Sequence, residues 1–285
     1  MSEAGGTFAF VQLEFGFLLG PADGRYLVRQ APEAAPDHIL VLTTVGAERR
    51  SPRGRRGSSV TGATPEPVPT ARITVIDAEP FPDQGSAEGW LSEARRTGDR
   101  TDSEVRSAVR VANRALQAYR AAASDPYAHD VSADHALVVR LGFGRGEAVA
   151  KGHYQAAWER PAGIRERPHR SMEAPDERFA ALIGAREPLL VCEELVLRAR
   201  ADLTAGRLRE AALQARVALE SLLSELSEAL AGELRAALAA DRTPVGEAAN
   251  EALWGPLDDG SAQAVAAAVG RMEAALRVRR LGGAS

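Results

Sequence analysis

The chain has 285 residues, 45% of them hydrophobic and 26% charged, with a formal net charge of −4. That length suffices for two domains with real cores, and the composition is that of an ordinary globular protein. An acidic balance supplies no global field to recruit nucleic acid or anionic membrane, and a single cysteine, Cys192, excludes an internal disulfide or an all-cysteine metal site.

The start, "MSEAGGTFAF", lacks the basic segment and apolar core of a secretory signal. No apolar run approaches the roughly 20 residues of a membrane helix, so the expected location is the cytoplasm and no membrane contact is expected. Residues 8–19 alternate, with Val11, Leu13, Phe15 and Phe17 on one side and Gln12 and Glu14 on the other, which predicts a strand with one buried face. Turn residues Gly20–Gly24 and the following "RYLVRQ" predict a hairpin returning from it. "HILVLTTV", His38 to Val45, is a continuous β-branched run that suits a strand covered on both faces.

Residues 46–70 lose their large apolar groups to proline, glycine, serine and arginine and read as a flexible basic loop. "ARITVIDAEPF" resumes strand alternation, and "SAEGWLSEAR" predicts a short helix entered at Ser86. Thr101 and Glu104 have the spacing of a capping box, opening a helix with Val105, Val109, Ala112, Leu116 and Tyr119 on one face. That helix is expected to stop before Ser124–Pro126. A loop, the strand "ALVVRLGF", a glycine turn and a further helix complete the order ββββααβα. This is an α+β domain over residues 1–159, with an antiparallel or mixed sheet.

Residues 160–178 are proline-rich and charged and read as a linker, and residues 179–285 carry only helical periodicity, predicting an all-α helical bundle. Leu219, Leu223, Leu226, Leu230, Leu234 and Leu238 recur in steps of three and four along one helix, with Gly232 marking a break. Val265, Val269, Met272 and Leu276 align in the last helix. Cys192 lies in an apolar helical segment, the setting of a buried inert thiol.

Three places could carry chemistry. Gly142, Gly144 and Gly146, with Lys151 nearby, follow a strand, as a phosphate cradle would. Yet "GFGRGE" is neither G-x-G-x-x-G nor a Walker loop, and Glu147 puts negative charge where a phosphate would sit. A strand–turn–helix accounts for these residues, and no cofactor is expected. The loop after the long helix gathers Asp125, His129, Asp130, Asp134 and His135. Asp125, His129, Asp134 and His135 are candidate metal ligands; His129, Asp130 and His135, with Glu147, are candidate acid–base groups, and His153 is a possible neighbour. Turn chemistry explains the aspartates equally well. Arg49, Arg50, Arg53, Arg55 and Arg56 could neutralise phosphates or an acidic protein partner. No aromatic residue is interleaved for base stacking, which argues against nucleic acid.

The stretch "LRARADLTAGRLREAALQARVALE" resembles a single tetratricopeptide-type hairpin across residues 192–225. Gly206 stands in the turn and Leu208 two residues later, while small Ala199, Ala211 and Ala218 stand where the two helices pack closely. The aromatic positions and closing proline of that repeat are missing, and no second copy follows, so the resemblance implies no repeat-array groove. The pair is also similar to that of the small bundle domains called HEPN, some of which are RNases. Their Arg-x4-His motif is missing here, so this resemblance implies a non-catalytic version. The function expected is that of an interaction or scaffold protein, not an enzyme, whose helical domain contacts a protein partner or its own copy. A metal-assisted hydrolase built on residues 125–135 and 142–146 is the rival, and nucleic-acid contact through residues 49–56 a third possibility.

Overall fold

A computed structural model describes residues 6–46, 69–161, 175–226 and 230–282. The chain is α+β, and its contacts divide into two compact units, Met1–Pro168 and His169–Ser285.

The first unit is built on six antiparallel strands: β1 (Thr7–Phe15), β2 (Gly24–Val28), β3 (His38–Val45), β4 (Thr70–Pro80), β5 (Val138–Arg145) and β6 (Ala156–Glu159). Their order across the sheet is β2-β3-β4-β1-β5-β6. The alternation of β1 sends Val11, Leu13 and Phe15 to one face, where they meet Leu40, Leu42, Ile73 and Val75 beneath helices α1 (Gln84–Arg96) and α2 (Gly98–Ala123). The opposite face holds a smaller cluster of Phe10, Val41 and Ile76, closed by Val149 of the one-turn helix α3 (Gly146–Ala150). Gln12, expected outside, is 1% exposed there. Its amide donates to Thr74 Oγ1 at 2.9 Å and Tyr154 Oη at 2.6 Å, while Arg140 donates to its oxygen. Burial is tolerated because the side chain's polar atoms are matched.

Several local expectations are corrected. The hairpin between β1 and β2 does not form; β2 pairs with β3. β1 is occupied along nearly its whole length by β4 on one side and β5 on the other, so a five-residue strand finds no free edge on it. Helix α1 is entered at Asp83, whose Oδ1 accepts from the Ser86 amide at 2.7 Å, one turn before the expected start. Helix α2 begins at Gly98, so Thr101 lies inside it and donates its hydroxyl to the Ala94 carbonyl instead of capping. Gly142 and Gly144 stand within β5, not in a turn, and the residues after α3 return as β6 where a helix was expected.

The second unit is helical: α4 (Pro175–Ile183), α5 (Val191–Thr204), α6 (Leu208–Glu225), α7 (Gly232–Ala240), α8 (Arg242–Trp254) and α9 (Asp259–Gly282). Helix α4 starts inside the stretch that reads as a linker. The core centres on α6, whose Ala211, Ala212, Ala215 and Ala218 let neighbouring backbones approach closely, while Leu219, Leu222 and Leu226 fill the wider space beyond. Val265, Val269, Met272 and Leu276 of α9 are all buried against it, as the spacing predicts. Gly206 makes the α5–α6 turn at φ +75°, a left-handed conformation that glycine adopts without strain. The leucine seam is not one helix: α6 stops at Glu225 and α7 begins at Gly232.

Candidate functional site

The segment between α2 and β5 is held by its own contacts. Asp125 Oδ1 accepts from the Tyr127 amide at 2.9 Å, an Asx turn immediately after the left-handed Ser124. Asp130 accepts from Arg120 Nη2 at 2.9 Å. Ser132 Oγ accepts from the Asp134 amide at 3.2 Å and opens the short 3-10 turn Ala133–His135. His129, Asp134 and His135 stand exposed. Among the described residues no group of three or more histidines, cysteines and carboxylates converges to hold a metal ion.

The glycines belong to the other end of β5. The loop joins the strand at Val138 and the glycines run to Gly146; at roughly 3.3 Å per residue the two ends lie on the order of 25 Å apart. Of the glycines 142–146, Gly142 thus stands at mid-strand and Gly146 just past the end away from where residues 125–135 lead in. A Cβ on Gly142 would come 2.5 Å from the Ala156 carbonyl oxygen and 2.7 Å from the Phe10 ring; one on Gly144 would come 2.8 Å from Val149 Cγ2. These glycines admit close neighbours from the protein itself. Glu147 is taken up by Arg25 at 2.7 Å and Lys151 at 3.1 Å, and the hydrogen bond from Arg25, followed by that from Lys151, holds its carboxyl below the usual range. His153 is exposed. Arg49, Arg50, Arg53, Arg55 and Arg56 lie outside the described residues.

A titratable cluster that the sequence does not announce sits at the start of β3. His38 lies between Asp37, with Nδ1 to Oδ1 at 3.5 Å, and its cross-strand partner Asp77, with Nε2 to Oδ1 at 3.9 Å. It borders a small cleft of about 60 Å³ lined by Asp77, Trp90, Glu104 and Ser107. Burial raises the Asp77 carboxyl above its ordinary value; attraction to His38 pulls the other way, and Glu104, Glu79 and Asp37 add repulsion. At Asp37 burial also pushes upward, but the hydrogen bond from Gln30 and other local bonds bring the carboxyl below its ordinary value. Two carboxyls of opposite tendency thus flank one imidazole, at distances longer than a good hydrogen bond. The cleft admits water rather than an organic substrate. "DHILVL" reads only as the head of an apolar strand, and Asp77 joins it solely through the β3–β4 register.

In the helical unit an open groove of about 410 Å³ runs between α5, the start of α6 and α9, with Leu203, Leu208, Ala262 and Ala266 along it and Arg200 and Asp259 at its sides. Arg200 holds Glu273 through two bonds of 2.8 Å. At the end of α8, Trp254 is 91% exposed and Leu253 58%. Arg209 of α6 pins that end, donating from Nε to the Ala252 carbonyl at 2.7 Å and from Nη2 to the Leu253 carbonyl at 3.4 Å. Leu213, one turn further along the same face of α6, is also exposed. Cys192 is fully buried; burial first, then its hydrogen bond to Glu225, pushes the thiol up to about 12, so it is a poor nucleophile.

The chain matches no family model, no curated protein and no solved structure. No helix among the described residues is long and apolar enough to cross a membrane.

Proposed function

We propose that the protein is a protein-interaction module that works through its helical unit. The observation that supports this most is Trp254, 91% exposed beside the half-exposed Leu253 at the end of α8. Tryptophan carries a large apolar surface and few rotatable bonds, which is why it dominates interface hot spots. This one stands on a fixed platform, because Arg209 takes up the last carbonyls of the helix. A partner covering Trp254, Leu253 and Leu213 gains apolar burial without having to order the surface it meets.

The test places a photo-crosslinking side chain at position 254 of the full chain and irradiates in cells. A discrete protein adduct supports the reading when the purified partner binds the wild type and Trp254→Ala weakens it by about tenfold or more, the scale of a hot-spot truncation. Binding unaffected by Trp254→Ala, or no adduct at position 254, overturns it.

A further inference from the structure

The two edges of the six-stranded sheet are built differently. At β6, Arg95 donates from α1 to the Ala157 carbonyl at 3.4 Å, and charges line the strand's end: Glu159 held by Arg140, and Arg160 held by Asp102. Charged groups at an edge discourage a further strand. At β2 the corresponding contact lies just past the strand's end, where Arg114 of α2 donates to the Arg29 carbonyl. The strand pairs with β3 in unbroken register from Gly24–Leu42 to Val28–His38, with no bulge and no proline. Its centre is open on both faces, with Tyr26 at 41% and Leu27 at 57% exposure. Its one charge is Arg25, whose guanidinium pairs with Glu147 at 2.7 Å.

We propose that β2 is a self-association edge, to which β2 of a second copy adds antiparallel about a two-fold axis through Tyr26. An open strand edge offers unpaired backbone groups, and what satisfies them is another extended backbone. Charge then selects the register. Centring the pair on Arg25 sets two guanidinium groups opposite each other, and centring it on Leu27 sets Arg25 opposite Arg29; both are repulsive. Centred on Tyr26, Arg25 meets Leu27, Tyr26 meets Tyr26 and Gly24 meets Val28, so no like charges oppose. The strand is thus complementary to itself in that alignment, which a closed two-fold dimer requires. The interface adds its strand to both sheets at once and leaves no open β2 edge behind.

The experiment uses the full chain and is independent of the helical surface. Sedimentation velocity from micromolar to submillimolar protein is expected to show a concentration-dependent monomer–dimer equilibrium. Leu27→Lys puts an ammonium opposite the second copy's Arg25 and raises the dimer Kd by about tenfold or more. Leu27 is largely in solvent, so an unchanged melting temperature verifies that the fold is kept. In a Cys192→Ala background, Tyr26→Cys forms an intermolecular disulfide on mild oxidation, because directly opposed antiparallel residues lie about 4.5–5.5 Å apart at Cα, within disulfide range. Leu27→Cys, opposite Arg25, forms none. Trp254→Ala leaves the dimer intact. A monomer at every concentration, a dimer indifferent to Leu27→Lys, a dimer without the Tyr26→Cys crosslink, or a dimer lost in Trp254→Ala each overturns the proposal.

Discussion

Asn113 grips Val131 from both sides: its Nδ2 donates to the Val131 carbonyl at 2.9 Å and its Oδ1 accepts from the Val131 amide at 2.7 Å. Both residues are buried, Asn113 on α2 and Val131 in the loop that leads to β5. One side chain therefore does for this loop what a neighbouring strand does for a strand. Asn113→Leu leaves two buried backbone groups without partners. The expected cost is about 2 kcal/mol or more by urea denaturation, given about 1–3 kcal/mol for each unsatisfied buried group. A loss under half that amount would show that water replaces the amide and that the clamp is dispensable.

The glycines of β5 and those of the C-terminal helices respond to alanine with opposite sign. At Gly142 the added methyl meets the Ala156 carbonyl and the Phe10 ring well inside contact distance. Gly142→Ala is expected to destabilise by about 1–3 kcal/mol, as overpacking does. At Gly246 in α8 and Gly270 in α9 an added Cβ would have nothing within 4 Å, so alanine there gains helix propensity at no steric cost. Each substitution is expected to stabilise by about 0.5–1 kcal/mol. Thermal melts of the three variants check both signs together, and a neutral Gly142→Ala would contradict the close-packing account of the strand.

Asp77 gives a pH dependence whose direction follows from its raised carboxyl. Burial favours its neutral form in the folded chain, with Glu104, Glu79 and Asp37 adding repulsion. The folded protein therefore holds this proton more tightly than the unfolded chain does, and the site's contribution to stability falls as pH rises from its ordinary value near 3.8 through the raised one. Asp77→Asn, neutral at every pH, is expected to exceed the wild type in stability at pH 7 and to lose that advantage below pH about 4. Denaturation curves at the two pH values decide it. An advantage of equal size at both would mean that His38 and charge play no part.

How much of this was legible depends on the range of the interaction. The helical faces of α2 and α9 were readable because the residues that share a face are three or four apart in sequence, and Val105, Ala112 and Leu116, like Val265 to Leu276, are buried as spaced. The inward face of β1 was readable for the same reason, down to Phe15. The partner of β2 was not: adjacency suggested β1, but β1 is filled by β4 and β5, whose matching residues lie 56 and more positions away. Gln12 looked like a solvent position because its polar partners, Thr74, Tyr154 and Arg140, arrive from three distant segments. The Asp37–His38–Asp77 cluster needs the β3–β4 register before it exists at all. Nearness in sequence also misled: five acid and imidazole groups within eleven residues of loop do not converge on a metal site, since Asp125 turns to the Tyr127 amide and Asp130 to Arg120 while His129, Asp134 and His135 stand exposed.

Cys192 and Glu225 form the last testable pair. The Glu225 carboxylate accepts from the Val191 amide at 3.2 Å and the Cys192 amide at 2.9 Å, closing the first turn of α5 from the end of α6. Burial pushes this carboxyl upward, but the bonds from the Cys192 amide and thiol and from Val191 outweigh it and bring it below its ordinary 4.5. A depressed acid contributes stability above its unfolded value, and that contribution is lost as pH falls from about 4.5 through the lower folded value. Glu225→Gln keeps the shape and removes the charge, so it is expected to cost about 1 kcal/mol at pH 7, the scale of a helix cap, and progressively less as pH falls below about 4.5. The same carboxylate, together with burial, keeps the Cys192 thiol protonated up to about 12. A thiol reagent at pH 8 should therefore leave the native chain unmodified and label it fully once denaturant is added. Rapid stoichiometric labelling without denaturant would mean that the α5–α6 hairpin opens readily, and that its alanine seam is not the rigid centre of the helical unit.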